Sequence, residues 1–237
     1  MYQGERIVSL RELLRRYNYH NCYFPAEDGT TSVARSICYN IHDFPFYRGW
    51  DTNGQDTATN SVPATAGYNF CSTTMLNFLT PAFACRRGGL RHKAILSQNG
   101  AAGRALTLSA ARHNIIGKAN SVDEHVLSGV TGDRRSELLG KMASGLGGTH
   151  VTSTYVNPCL EYETPFYTAG QRFLPARKIN LYDQVEMAHE IGVDVPGGQG
   201  SNAYRIDKYV SVAEDFQLGL FVGAPIAYYY VDPVAVT

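Results

Sequence analysis

The chain has 237 residues, and its 21 basic and 21 acidic side chains give it a formal net charge of zero. Balanced charge argues against a surface built to neutralise phosphates, so nucleic-acid recognition is not expected as the main function. No stretch approaches the ~18 apolar residues of a membrane-spanning helix, and the N-terminus lacks the apolar core of a signal peptide. The 16 Tyr, 10 Phe, 23 Gly and 10 Pro residues favour strands joined by turn-rich loops.

The length predicts one large domain, because single all-β sandwiches and barrels often reach ~200–250 residues. We therefore expect residues 1–237 to form a single domain. The cysteines are odd in number and include no CxxC pair, so neither a disulfide framework nor a zinc knuckle is predicted. We interpret all five as buried or half-buried free thiols: Cys22, Cys38, Cys71, Cys85 and Cys159.

The first predicted element is a short helix that begins after Ser9. Serine is a favourable N-cap, and Glu12 stands where a capping box places its acidic residue. Three leucines follow at helical spacing on one face: Leu10, Leu13 and Leu14. Residues 1–20 are thus predicted as a helical segment ahead of the β-sandwich body. This helix docks either on the chain's own core or on a neighbouring molecule.

A second short helix is predicted over Ser72–Leu79, with Pro81 ending or kinking it. The sequence RRGGLRHKAIL follows, and in it Gly88 and Gly89 supply a bend. From Leu90 onward the residues alternate in the way that fits a strand.

Further strands are predicted at Ala105–Ala110, within His150–Phe173 and at Tyr209–Val212. Proline cannot donate to a ladder, so Thr164-Pro165 should be a strand boundary or edge. The apolar run Leu218–Tyr230 is predicted as the most convincing central strand.

Two segments are predicted as exposed surface, Asn114–Gly148 with a helical fragment at Ser136–Met142, and Val195–Asn202. Strands spread along the chain with long loops between them indicate an all-β fold. We expect an eight-stranded antiparallel jelly-roll β-sandwich with short helices and long loops.

Patterns typical of catalysis or metal binding are weak in this sequence. No cysteine stands in a protease signature, and the glycines of Ser144–Gly148 lack the lysine of a phosphate loop. His20 and His42, together with His189 or Glu190, are the residues considered as metal ligands, but the sequence has no HExxH or comparable ligand spacing, and isolated histidines are usually structural or surface residues. We predict no metal, no cofactor and no enzymatic activity. A cupin-type enzyme would require clustered His and Glu ligands on its strands, and the sequence offers no convincing cluster.

Four motifs occur in the order GERIVSLRELLRRY, FLTPAFACRRGGLRHK, LEYETPFYTAGQRF and EDFQLGLFVGAPIAYYY. This ordered set resembles the C-terminal major capsid protein of picorna-like viruses, with the greatest likeness to the dicistrovirus and marine algal, marnavirus-like groups. The resemblance runs from Gly4 to Tyr230. It implies a jelly-roll capsid subunit.

The resemblance assigns residues of this chain to four family segments. The opening segment is matched by Gly4, Glu5, Ser9, Leu10, Leu13 and Leu14. The arginine-glycine start of a strand is matched by Arg87, Gly88, Arg91 and Lys93. The late strand pair is matched by Pro165, Tyr167, Arg172 and Phe173, and the final strand by Asp215, Phe216, Gly223 and Pro225. Ordinary structural roles explain these residues equally well.

Several members of the resembled family carry an Asp-Asp-Phe motif that is proposed to assist cleavage of a small internal peptide from its precursor. This chain reads Glu214-Asp215-Phe216, which keeps the charge but lengthens one side chain. These three residues are the weak candidate site for maturation cleavage, through a carboxylate pair. Two solvated acids at the start of a strand are the simpler interpretation.

The resemblance implies a structural protein that joins two sister subunits in a pseudo-T=3 icosahedral shell, around the fivefold vertices. The implied partners are sister capsid proteins and symmetry copies, and the location is the virion, after assembly in the host cytoplasm. Genomic RNA would meet a few basic residues, with Arg15 and Arg16 as candidates. The alternative is a monomeric lectin-like β-sandwich that stacks sugars on Trp50 and Tyr47.

Overall fold

Two facing antiparallel sheets dominate the computed structural model of this chain. The structure describes residues 4, 8–24, 35–50, 56–57, 67–99, 106–113, 122–126, 148–167, 173–176, 188–195 and 203–225. The helical fragment predicted at Ser136–Met142 lies outside these residues, as does the predicted loop beyond Val195.

Within the described ranges the helices are short, and fifteen strands carry the fold. The helices are α1 (Leu10–Leu14) and α2 (Met75–Leu79), and α2 continues into a 3₁₀ turn at Thr80–Ala82. The strands are β1 (Asn18–Tyr23), β2 (Arg35–His42), β3 (Gly49–Trp50), β4 (Asp56–Thr57), β5 (Gly67–Asn69), β6 (Phe83–Arg87), β7 (Leu90–Asn99), β8 (Thr107–His113), β9 (Val122–Val126), β10 (Thr149–Ser153), β11 (Cys159–Thr164), β12 (Leu174–Pro175), β13 (Ala188–Val195), β14 (Ala203–Val212) and β15 (Gln217–Phe221).

Eight of these strands form the two sheets of a jelly roll. The first sheet has the order β1-β14-β7-β11, and the second has the order β10-β8-β13-β2, with β9 added beside β2. All of these neighbours pair antiparallel. Along these eight strands the chain changes sheet at every step except between β8 and β10, as a jelly roll requires. The predicted fold is therefore confirmed.

The two central strands of the first sheet are β14 and β7, which lie between β1 and β11. The prediction that Leu218–Tyr230 forms the central strand is wrong. Its described part contains β15, which lies at the edge of a small sheet of order β12-β6-β15. Leu220 and Phe221 are 75% and 72% exposed. Their apolar character therefore does not serve the subunit's own core.

The opening helix docks on the chain's own core through Leu14, which is buried, while Leu10 faces outward. Ser9 caps the helix by accepting the Arg11 backbone N–H at 3.2 Å. Glu12 reaches back one residue further than a capping box would, to the backbone N–H of Val8 at 3.4 Å. The helical segment is also shorter than predicted, because β1 begins at Asn18.

The other predicted elements lie close to their expected positions. α2 begins later than predicted, after Thr74, which forms a capping box with Asn77, and Pro81 lies in the 3₁₀ turn that follows the helix. Strand β7 starts at Leu90 as predicted, and β11 ends at Thr164. The predicted surface segment 114–148 contains β9, which pairs with β2.

Two apolar clusters fill the fold. The larger lies between the two sheets: Ile37, Tyr39, Ile41, Ala94, Leu96, Leu106, Leu108, Ala110, Leu160, Tyr162, Ile191, Val193, Val195, Tyr204 and Ile206. The second joins both helices to the ends of β7 and β14: Leu14, Phe44, Leu76, Leu79, Leu90, Val210, Val212 and Phe216.

Candidate functional site

Each of the four sequence motifs that carry the family resemblance contacts at least one of the others in space. Arg11 and Arg15 come from the first motif, Gly88 and Gly89 from the second, Thr164 from the third, and Glu214, Asp215 and Phe216 from the fourth. We call these eight residues the motif junction. They lie where α1, the start of β7, the end of β11 and the turn between β14 and β15 meet.

The junction needs glycine at two successive positions. Gly88 has a φ of 104°, and a Cβ there would lie 2.4 Å from the Phe216 Cα. A Cβ on Gly89 would lie 2.9 Å from the Thr164 carbonyl oxygen. Backbone from the third and fourth motifs therefore packs directly against the bend of the second.

The candidate cleavage residues each have a structural partner at this junction. Glu214 forms an ion pair with Arg15, and the Asp215 Oδ1 accepts the Gly89 backbone N–H at 2.9 Å. Phe216 is buried in the second apolar cluster, and its carbonyl accepts a hydrogen bond from Arg11 at 3.3 Å. Both carboxylates thus hold the turn between β14 and β15 against its neighbours.

A second polar grouping lies between the two sheets of the jelly roll. His20, His92 and Lys208 come from the first sheet, together with Tyr162, and His189 comes from the second. Asp43 follows directly after β2. We call these six residues the buried polar cluster. His92 and His189 have ring centroids 4.5 Å apart, and the His92 ring also stacks on Tyr162 at 5.3 Å.

Hydrogen bonds fix which histidine nitrogens carry protons in this cluster. The His189 Nδ1 donates to Asp43 Oδ1 at 2.9 Å, because a carboxylate oxygen accepts. The Thr164 hydroxyl donates to the Leu90 carbonyl at 3.3 Å. The His92 Nε2, 3.1 Å from that hydroxyl, is then the donor to Thr164. Its Nδ1 has no hydrogen-bond partner within the described part of the chain.

Burial disfavours positive charge in this cluster. Burial lowers the pKa of His20 to about 3, with the nearby Lys208 acting in the same direction. Burial also lowers the pKa of His92 well below its ordinary value, followed by the effects of His189, Lys208 and His20. The pKa of Lys208 falls to about 7 because of burial, although the charge of Asp43 opposes this. His20 and His92 therefore stay neutral at pH 7.

The chemistry of the cluster does not favour a divalent cation. One donor atom each from Asp43, His92 and His189 lies within 4.8 Å of the others, a spacing that a metal ion could use. However, Asp43 already accepts from His189, and its charge acts on the buried amine of Lys208. A metal ion would compete with that amine for the same carboxylate. The absence of a bound metal stays a prediction.

Of the metal-ligand candidates considered from sequence, the structure brings His20 and His189 into the buried polar cluster and leaves His42 and Glu190 outside it. His42 and Glu190 lie on the opposite face of their sheet from His189, because His189 pairs with Ile41, and side chains alternate along each strand. Sequence analysis missed Asp43, His92 and Lys208. A signal was available, since the alternation of β7 and β14 places His92 and Lys208 at inward positions.

Tyr47, one of the two aromatic residues predicted to stack sugars, is engaged in contacts with neighbouring residues. The Tyr47 ring packs 6.3 Å from Phe44, and its hydroxyl lies 3.1 Å from the Thr80 hydroxyl. Trp50 is placed only as part of β3, which pairs with β5. Tyr47 is therefore partly buried and packs against the second apolar cluster.

Three consecutive apolar residues at the end of β15 are exposed: Leu220, Phe221 and Val222. We call them the apolar patch. Leu220 has a φ of 57°, a conformation that L-residues other than glycine rarely adopt. Phe221 contacts Phe83 of β6 with ring centroids 5.6 Å apart. The pairing of β15 with β6 therefore fixes the patch in a position where its side chains face solvent.

None of the described helices is long and apolar enough to cross a lipid bilayer.

Comparison with known proteins identifies the family. A family profile described as "CRPV capsid protein like" matches residues 1–231. A solved structure of a marine algae virus of the order Picornavirales is 43% identical, with a TM-score of 0.80, covering 98% of this chain and 87% of that one. No curated protein sequence matches the chain.

More distant solved structures share the fold. A Triatoma virus structure is 17% identical with a TM-score of 0.56, and covers 96% of this chain and 74% of that one. A deformed wing virus structure is 14% identical with a TM-score of 0.57, and covers 96% of this chain and 87% of that one. The chain therefore belongs to the CRPV capsid protein-like family, and it is a structural capsid protein of picorna-like viruses rather than an enzyme.

Proposed function

We propose that this chain is one of three jelly-roll subunits of a pseudo-T=3 icosahedral shell, and that it surrounds the fivefold vertices. In this proposal residues 1–237 act as one domain, with the segment before β1 leading into the jelly roll. The partners are two sister subunits and symmetry copies of the chain itself. The particle assembles in the host cytoplasm and becomes the virion.

The observation that supports this proposal is the apolar patch. Leu220 is 75% exposed, Phe221 72% and Val222 54%, although they follow one another along the chain. Exposing three apolar side chains adds no stability to an isolated chain, and the left-handed φ of Leu220 costs conformational energy. A neighbouring subunit that covers the patch would remove these side chains from water, which stabilises the contact by ~25 cal/mol for each Å² of apolar surface buried.

The proposal is tested by co-expressing the chain with the two polyprotein segments encoded beside it. We expect the double variant Leu220→Ser, Phe221→Ser to lower the yield of closed particles by at least about tenfold, because each lost apolar contact is repeated at every symmetry-related interface. Val156→Ser is the matched control, since Val156 is an exposed apolar residue, 86% accessible, on a turn outside the patch. Normal particle yield from the patch variant would contradict the proposal.

Two finer roles are also proposed for this subunit. Genomic RNA meets the exposed Arg15 and Arg16 at the N-terminal segment, where Glu214 competes for Arg15. Glu214-Asp215-Phe216 assists precursor cleavage only if its two carboxylates leave their structural partners, Arg15 and the Gly89 backbone N–H, and contact the peptide segment that is cleaved. Loss of cleavage in assembled Asp215→Asn particles would support that role, and normal cleavage would leave Asp215 with its structural role.

A further inference from the structure

The buried polar cluster places several groups that can become cationic inside an apolar sandwich. His20 and His92 are 0% exposed, and His189 and Lys208 are 1% exposed. We propose that this cluster is a proton-sensitive device that weakens the folded subunit as the medium becomes acidic. The inference does not depend on the proposed shell geometry, because it concerns the stability of a single chain.

Each element packed around the cluster contributes a titratable group. These groups are His20 from β1, Asp43 after β2, His92 from β7, Tyr162 from β11, His189 from β13 and Lys208 from β14. Asp43 is the carboxylate of this set, and it already accepts from His189. His42 and Glu190 lie on the outer face of the second sheet, so neither one faces the cluster.

An added proton would find no acceptor waiting for it at His92. The Nε2 of His92 donates to Thr164, so a second proton must go to Nδ1. That atom has no hydrogen-bond partner within the described residues, and the same is true of Lys208 Nζ. A new charge there would also face the positive Lys208 amine, as the electrostatic effect of Lys208 on His92 indicates. The folded state therefore resists protonation that the unfolded chain accepts.

The sign of the pH dependence follows from this difference. The pKa of His20 is about 3 in the fold, and that of His92 is also far below the ordinary value of about 6.5. Between these values the unfolded chain binds more protons than the folded chain, so stability falls as pH falls below about 6.5. Lys208, with a pKa of about 7, acts in the same direction between pH 7 and its ordinary value of about 10.5.

The effect is large enough to measure. Each histidine that is protonated only in the unfolded state raises the unfolding equilibrium constant about tenfold per pH unit. Because the unfolded pKa is about 6.5, His20 and His92 together raise it about sixtyfold between pH 6 and pH 5. Lys208 raises it about tenfold between pH 9 and pH 8.

The test is urea unfolding of the full chain at pH 9, 8, 6 and 5. His92→Gln should remove about tenfold of the rise between pH 6 and pH 5. Lys208→Met should remove about tenfold of the rise between pH 9 and pH 8, and it should fold well because methionine suits an apolar interior. His150→Gln changes an exposed histidine on β10 and should keep the wild-type pH dependence.

A second measurement on the wild-type chain covers the case in which His92→Gln does not fold. NMR titration should show the His20 and His92 imidazoles remaining neutral between pH 7.5 and pH 5 in the folded protein. Imidazoles that titrate near pH 6.5 would overturn the proposal. So would an unfolding constant whose pH dependence is the same in Lys208→Met and in the wild type.

Discussion

At Gly88 the backbone has a φ of 104°, and a Cβ would come within 2.4 Å of Phe216 and 2.5 Å of the Asp215 carbonyl oxygen. Both contacts are with backbone atoms, which cannot turn aside as a flexible side chain can. The neighbouring Gly89 donates its N–H to Asp215. The bend of the second motif and the turn of the fourth therefore fit only with glycine between them.

Gly88→Ala should destabilise the subunit by roughly 2–5 kcal/mol, through the cost of a left-handed alanine and the clash with the Phe216 backbone. The measurement is the urea midpoint of unfolding. Gly148→Ala is the control, because Gly148 has a φ of 83° but no atom within 4 Å of its added Cβ. That variant should lose only about 1–2 kcal/mol. Equal losses in the two variants would show that the contact with Phe216 does not matter.

Single residues at unusual positions were the hardest to predict. Lysine is rarely buried, so sequence reasoning assigned no role to Lys208. Yet Lys208 lies on the same face of β14 as the apolar residues Ile206 and Val210, two positions before and after it. Asp43 follows a strand, and a lone acid there is usually solvated. Its contact with His189 joins residues 146 positions apart, a distance that no local pattern reveals.

Among the elements, α1 shows how a short helix gains its stability from packing. Five residues are too few for a stable isolated helix. Leu14 enters the second apolar cluster beside Leu76 and Phe216, while Arg11 and Arg15 bond to the turn before β15. The helix thus docks on its own subunit.

Leu14→Ala should lower the free energy of unfolding by about 2–5 kcal/mol, because it leaves a cavity under the helix. Leu10→Ala should change it by no more than about 0.5 kcal/mol, since Leu10 is 51% exposed. Thermal unfolding followed by circular dichroism compares the two. A small loss for Leu14→Ala would mean that the helix does not depend on this core.

Local signals predicted elements well where one pattern dominated. The Ser9 cap, the glycine bend before β7 and the proline after β11 each mark a boundary for a stated physical reason. The prediction for Leu218–Tyr230 was wrong because exposed apolar residues look the same in sequence as apolar residues of the core. Only exposure in the folded chain separates the two.

At the scale of the whole molecule, the jelly roll places its two unusual features in different regions. The apolar patch lies on the small sheet outside the sandwich, whereas the buried polar cluster lies between the two large sheets. Loss of the patch should therefore affect assembly without affecting folding. Changes in the cluster should affect the stability of the single chain.

The fold class was predictable because the motifs that carry the family resemblance are also the residues that hold the junction together. Gly88 packs against the backbone of Asp215, and Arg15 forms an ion pair with Glu214, so the order of the motifs along the chain reports a three-dimensional arrangement. The position of the subunit in a shell is set by neighbours, and no pattern within one chain specifies it.

The most direct test of the central claim is electron microscopy of particles formed when the chain is co-expressed with the two polyprotein segments encoded beside it. We predict closed particles of uniform size that contain this chain and two sister proteins in equal number, with this chain around each fivefold vertex and the apolar patch covered by a neighbour. A stable monomer that never enters particles, or particles in which the patch faces solvent, would contradict the account.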